Sequence, residues 1–385
     1  MKQIELSLQN KGRNINVKFP CTESEYQAAC RELELKDNYA FVRDVVEPKV
    51  LAFKKDTFVN LDEINYLAKR MDSFDQKELF SFFAAVEAGD YLSTKDLINL
   101  TFNQTCYTLI RDVSNLKSVG RNYVLCREVA MSADELEKMD LEKIGRELLS
   151  TGKGIPTNYG LLFRNEGVAF EAVYKGKGFP AYYYTGGEVL GVEIEKDGGK
   201  DYIYFPCEKT EIERALKRIG ASDISECHKS IDFCGGDEEW EKYCNDLLQK
   251  NDLESLNAIS SAINRLGATE DAISENIYKL SAVMEFAEVT TADTEKVIRL
   301  AQSLEEFEYY REIGNDYNLG TKLIENEIGA AAEKIDDYID YEKYAQDFLE
   351  ERGGAYTKYG DVVYLREDQT LSAILGENEM KMGEI

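Results

Sequence analysis

The single histidine of this 385-residue chain, His228, lies beside Cys227, with Cys234 and Cys244 close downstream. Thiolates and imidazoles ligate zinc, and a Cys–His or Ser–His pair supplies a nucleophile and its base. A closed zinc site needs four well-placed groups, and the eight cysteines (Cys21, Cys30, Cys106, Cys126, Cys207, Cys227, Cys234 and Cys244) include no CxxC pair. The expectation is no metal, with any imidazole catalysis resting on one residue. Gly152-Lys153-Gly154 is faintly like a phosphate loop, but the upstream glycine is misplaced and no Ser or Thr follows the lysine. A helix stop is the better reading. The abundant reactive groups are carboxylates, 73 Asp and Glu against 46 Lys and Arg, for a net charge of −27. At that density a carboxylate pair carries almost no information about acid–base catalysis. The chain reads as no enzyme, with no cofactor.

The elements that must position these groups occur twice. Phe19-Pro20-Cys21 recurs as Phe205-Pro206-Cys207, and Asp140-Leu141-Glu142-Lys143 as Asp340-Tyr341-Glu342-Lys343. One offset pairs Arg111 with Arg311, Asn115 with Asn315, Gly120 with Gly320, and Tyr159-Gly160 with Tyr359-Gly360. The expected fold class is α+β, in two tandem modules at 1–167 and 190–368. An aromatic and glycine-rich joining segment or extra strand is expected at 168–189, and a tail at 369–385. Each module opens with a hairpin: Ile4, Leu6 and Leu8 alternate with polar residues, Lys11-Gly12 turns, and Ile15, Val17 and Phe19 return. In the second, Val192 and Ile194 lead into Asp197-Gly198-Gly199 and back through Tyr202 and Tyr204. A helix follows each hairpin, with Tyr26, Ala29, Cys30 and Leu33 matched by Ile212, Ala215, Leu216 and Ile219 as an apolar stripe. The central parts are helical. Asn60 with Glu63 and Asn251 with Glu254 resemble capping boxes. Further helices are expected near 75–88, 94–101, 269–287 and 291–303. Closing helices at 140–150 and 340–351 run into glycine stops and an extended piece.

The charge is divided unevenly. Residues 190–368 hold 42 Asp and Glu against 20 Lys and Arg, a net of −22; residues 1–189 hold 28 against 25, a net of −3. Such acidity excludes direct binding of nucleic acid or an anionic membrane, which needs cationic neutralisation, and favours basic partners. Residues 1–10 lack the charged and apolar regions of a signal peptide, and no apolar run approaches spanning length. A cytoplasmic protein with free thiols is expected.

Leu61-Asp62-Glu63-Ile64-Asn65-Tyr66-Leu67-Ala68, followed by Lys95-Asp96-Leu97-Ile98-Asn99-Leu100-Thr101-Phe102-Asn103, resembles the core signature of ArdA-type antirestriction proteins. So do Cys106-Tyr107 through Val119-Gly120-Arg121-Asn122-Tyr123 and, in the second module, Ile339-Asp340-Tyr341-Glu342-Lys343-Tyr344-Ala345 with Gly353-Gly354-Ala355-Tyr356-Thr357-Lys358-Tyr359-Gly360. The resemblance implies an elongated, curved protein whose surface carboxylates imitate DNA phosphates and occupy the DNA-binding groove of type I restriction–modification enzymes. It also implies carriage by phages or other mobile elements, and a homodimer as one arrangement. The usual member of the family is a single module, so a tandem with a near-neutral first copy departs from it.

Duplex DNA carries about one charge per 1.7 Å, so 22 net charges correspond to roughly 37 Å, near one helical turn. Under the resemblance the phosphate mimics are Asp237, Glu238, Glu239 and Glu241 around the only tryptophan, Trp240. Glu305, Glu306, Glu308 and Glu312 form a second set, and Glu333, Asp336, Asp337, Asp340, Glu342 and Asp347 a third. For any one of them a solvated helix face is the plainer explanation. The interspersed Tyr309, Tyr310, Tyr338, Tyr341 and Tyr344 are expected in the core or half-buried. Two other readings stand beside this one: an acidic adaptor or scaffold that binds proteins through tyrosine-rich surfaces, and a DNA mimic aimed at another defence nuclease such as a CRISPR effector.

Overall fold

A computed structural model describes residues 3–89, 91–127, 132–181, 187–329, 338–366 and 369–377. The chain is of mixed α+β class and divides into two compact units, Met1–Tyr184 and Thr185–Ile385.

In the first unit β1 (Ile4–Asn10) and β2 (Arg13–Phe19) form the expected hairpin, with Lys11 and Gly12 at φ +47° and +83°. Two positive φ angles in a two-residue turn match the twist of the paired strands. α1 (Glu23–Glu32) is closed at its start by a Thr22–Glu25 capping box. β3 (Tyr39–Glu47) then pairs antiparallel with β1, and the short β4 (Phe58–Asn60) with β3, giving the order β2-β1-β3-β4. The central helices are α2 (Leu61–Asp72), α3 (Gln76–Ala88) and α4 (Thr94–Phe102). β5 (Tyr107–Ile110), α5 (Leu116–Arg127), α6 (Ala133–Glu137), α7 (Leu141–Ser150), β6 (Ile155–Thr157) and β7 (Gly160–Arg164) close the unit, the strands in order β5-β7-β6.

The second unit follows nearly the same order. β8 (Leu190–Lys196), β9 (Gly199–Phe205), α8 (Lys209–Arg218) and β10 (His228–Cys234) give a sheet ordered β10-β8-β9. An additional helix, α9 (Glu238–Gln249), stands where the first unit has β4. The central helices α10 (Leu253–Arg265), α11 (Glu270–Phe286) and α12 (Thr294–Gln302) follow. Then come β11 (Phe307–Tyr310), α13 (Asp316–Ile328), α14 (Tyr341–Arg352), β12 (Ala355–Tyr356), β13 (Val362–Leu365) and α15 (Leu371–Leu375), with strand order β11-β13-β12.

Equivalent contacts tie corresponding elements together. The Cys21 N–H donates to Asn65 Oδ1 at 2.9 Å, and the Cys207 N–H to Asn257 Oδ1 at 2.8 Å, fixing each Phe-Pro-Cys to the first central helix. At the closing helix pairs, a Cβ on Gly120 would fall 1.9 Å from the Leu141 carbonyl oxygen, and one on Gly320 2.0 Å from that of Tyr341. Only glycine permits either approach. The closing turns are bonded to the central helices: Glu87 accepts the Asn158 N–H at 3.1 Å, and Glu285 Oε1 the Lys358 N–H at 2.5 Å.

One expectation, the capping boxes, is corrected, and of the two offered for 168–189 the strand falls away. Asn251 does not cap α10: it has φ +62°, and Asp252 takes the cap by accepting the Ser255 N–H at 3.1 Å. The segment 168–189 supplies no strand among its described residues, and 168–181 packs into the first unit. Tyr174 and Phe179 are buried in its core, and the backbone is held by two asparagines. Asn99 accepts from the Tyr174 N–H at 2.8 Å and donates to the Tyr174 carbonyl at 2.9 Å; Asn103 treats Glu171 in the same way at the same distances. Asn60 caps α2, accepting from Asp62 and Glu63, but the Glu63 carboxylate accepts from the Tyr174 hydroxyl at 2.9 Å and closes no capping box. Tyr341 is buried and Tyr309, Tyr310 and Tyr344 are half-buried, whereas Tyr338 is 87% exposed.

Candidate interaction surface

The acidic residues singled out above lie in the second unit, in three groups. Asp237 is the N-cap of α9, accepting the Trp240 N–H at 2.9 Å, and Glu238, Glu239 and Glu241 occupy its first turn. All four are exposed, while Trp240 turns inward against Tyr243. Carboxylates at a helix N-terminus face the positive end of the macrodipole, which gives this group a local structural stabilisation as well. Lys358 Nζ reaches Glu239 at 3.4 Å while its backbone N–H bonds Glu285, so the start of α9, the end of α11 and the β12–β13 turn share one edge.

The second group surrounds α11 and β11. Glu305 and Glu312 are exposed, and Glu306 and Glu308 are half-buried. Glu308 pairs with Arg366 at 2.7 Å. Burial lowers the Lys279 ammonium from its usual range, while the Glu308 and Glu305 carboxylates pull it up. Arg311 stacks on the Tyr278 ring at 3.9 Å and reaches Glu275 and Glu312, each at 3.4 Å. Glu275 and Glu285 sit on the same helix ten residues apart, about 15 Å along its axis, so α11 joins the first two groups. Sequence reading passed over both, although exposed positions on α11 between clusters were the available signal.

The third group is on the closing helices. Asp340 caps α14 by accepting the Lys343 N–H at 3.0 Å, and Glu342 and Asp347 are exposed on that helix. Tyr317, Tyr338, Ile339, Asp340, Tyr341 and Glu342 line a surface cleft of about 440 Å³. Asp316 and Glu327, also missed from sequence, accept from Tyr356 at 2.9 Å and Tyr344 at 2.8 Å. Glu333, Asp336 and Asp337 lie outside the described residues.

Comparison of equivalent positions separates structural acids from uncompensated ones. In α7, Glu142 is paired with Arg146 at 2.8 Å and Glu147 with Lys143 at 3.9 Å. In α14 the corresponding position holds Gln346, which donates to Asp316 at 2.7 Å, so the residue four on from Glu342 is not a cation. Conversely, Glu308 and Arg366 stand where the first unit hydrogen-bonds Thr108 to Asn165 at 2.9 Å. Glu308 is thus engaged in an ion pair with Arg366, whereas Glu342 and Asp347 are exposed. By compact unit, Thr185–Ile385 holds 46 Asp and Glu against 21 Lys and Arg, a net of −25, and Met1–Tyr184 holds 27 against 25, a net of −2.

Other chemistry is sparse. His228 is exposed at the start of β10 while Cys227 is buried, and among the described residues no group of three or more His, Cys, Asp or Glu could hold a metal ion. No helix among them is long and apolar enough to cross a membrane. The fold and surface together define an α+β protein with one strongly anionic unit. No family model matches the chain, and no curated protein or solved structure matches it either.

Proposed function

We propose that the chain is a non-enzymatic, cytoplasmic antirestriction protein that imitates DNA and occupies the DNA-binding groove of type I restriction–modification enzymes. The observation that carries this reading is the replacement of Arg146 by Gln346 at equivalent positions of α7 and α14. Of the two cations that pair with acids in α7, Lys143 is matched by Lys343 and only Arg146 is changed, to Gln346, which leaves Glu342 available to a cationic partner. The exposed acids at the start of α9, along α11 and on α14 supply the rest of the field, which steers association and is screened by salt. The family resemblance noted from sequence supports the same target. Glu308 would meet a partner by exchanging its ion pair with Arg366, and the near-neutral first unit provides shape or a dimer contact.

The test is competition binding across a salt series, measuring whether the chain displaces duplex DNA from a purified type I methyltransferase complex. Displacement that weakens steeply with salt supports the proposal, and no displacement at any salt overturns it. The exposed Tyr317 and Tyr338 beside the cleft favour a second reading, a protein-binding adaptor. Its binding would change little between low and moderate salt.

A further inference from the structure

Cys234 ends β10, and Gly235 and Gly236, the latter at φ +95°, turn the chain into α9, which packs back on that strand. The helix buries Trp240, Tyr243, Cys244, Leu247 and Leu248 along one face. Cys244, 1% exposed, lies on that buried face, and the half-buried Cys234 packs against the core that contains it. Both are free thiols, and the Cys244 thiol is in hydrogen-bonding contact with that of Cys234. That contact, with burial, keeps Cys244 protonated, so the more accessible Cys234 is the sulfur that meets a reagent first.

We infer that Cys234 and Cys244 are an oxidisable pair that closes to a disulfide in the presence of a hydroperoxide. With hydrogen peroxide, the Cys234 thiolate attacks one oxygen and breaks the O–O bond, giving a sulfenic acid and hydroxide, which leaves as water after taking up a proton. The Cys244 sulfur then attacks the Cys234 sulfur, and the S–O bond breaks. The departing hydroxide takes the Cys244 proton and leaves as a second water. Two thiols lose two electrons in all, and one peroxide is reduced to two waters. The bridge would staple residues 235–243, the segment that bears Asp237, Glu238, Glu239 and Glu241. The inference does not depend on what those acids bind.

The test treats the full chain with hydrogen peroxide, blocks remaining thiols with N-ethylmaleimide, digests it and weighs the peptides. The expected product is a crosslink joining Cys234 to Cys244, about 2 Da lighter than the dithiol form and restored by dithiothreitol. Cys234→Ser, at the half-buried position, should abolish the crosslink with an unchanged circular dichroism spectrum. Cys244→Ser should leave Cys234 as a sulfenic acid that dimedone traps. The inference is overturned if both cysteines carry maleimide after treatment that fully oxidises a glutathione control, or if Cys234 over-oxidises with no crosslink.

Discussion

Arg218 Nε donates to Asp201 Oδ2 at 2.6 Å, joining the last turn of α8 to β9 through a carboxylate that is 2% exposed. The second Asp201 oxygen accepts from Arg218 Nη2 at 3.3 Å and from the Tyr202 N–H at 2.8 Å. Breaking a buried pair from one side strands the other charge in a medium that solvates it poorly. Arg218→Ala should therefore destabilise the chain by about 2–4 kcal/mol, read as a lower urea midpoint at constant slope.

The two-point grip of Asn99 on Tyr174 and of Asn103 on Glu171 predicts a local effect. Asn99→Ala should cost about 1–3 kcal/mol by leaving buried backbone groups unpaired. Hydrogen exchange should then accelerate first at the Tyr174 amide, which bonds Asn99 Oδ1. Equal acceleration across β1–β3 would show that the asparagine holds more than the strap.

Gly320→Ala should destabilise the α13–α14 pair by about 1–3 kcal/mol or more, because the added methyl meets the Tyr341 carbonyl and backbone must yield. Gly12→Ala is the contrasting change: no atom crowds that position, and its cost comes from φ +83° alone. Thermal melts of the two variants, with circular dichroism of the remaining helix, separate steric from conformational cost.

Glu63 carries a pH signature. Burial raises its carboxyl above the usual 4.5, against the opposing pull of the Tyr174 hydroxyl at 2.9 Å and of Lys54 and Lys95, with Asp62 adding to the rise. The folded chain thus binds this proton more tightly than the unfolded chain does. Stability from this group is lost as pH rises from 4.5 through the raised folded value, and is regained on acidification. Glu63→Gln should flatten that part of the stability–pH curve, measured by urea unfolding at several pH values, and should leave the chain more stable than the wild type at neutral pH.

If the exposed acids of α9 meet a cationic groove, amide substitutions should act in small increments. Glu238→Gln, Glu239→Gln and Glu241→Gln should each weaken target binding about 1.5- to 5-fold, from exposed pairs worth roughly 0.2–1 kcal/mol. The loss should fall on the association rate and shrink with added salt. One substitution that abolishes binding without unfolding the chain would argue for a discrete pocket. Stopped-flow association at two ionic strengths distinguishes the cases.

The elements most legible in the sequence are those whose period matches their surroundings. The β1–β2 and β8–β9 hairpins alternate cleanly around a turn with positive φ, and α3, α4 and α12 end close to their expected bounds. β3 was not read, because its apolar residues come in runs, and its burial varies where the pairing with β1 shifts register. In sequence α9 presents as charge around a tryptophan, although Trp240, Tyr243, Cys244 and Leu247 have helical spacing. The difference between Glu308 and Glu342 was invisible, since it depends on where Arg366 and Gln346 fall in space. The strap at 168–181 was opaque for the same reason: its partners Asn99 and Asn103 lie some 70 residues away in sequence.

Parcelling nearly all of the net charge into one compact unit makes ionic strength a selective variable. Like charges repel within the second unit at −25, whereas the first, at −2, has little net field to relieve. Added salt shortens the screening length to about 8–10 Å near physiological strength, so it should raise the melting temperature of the acidic unit and leave its neighbour almost unmoved. A calorimetric trace that shifts in one component alone with salt would then assign each transition to its unit, without any need to cut the chain.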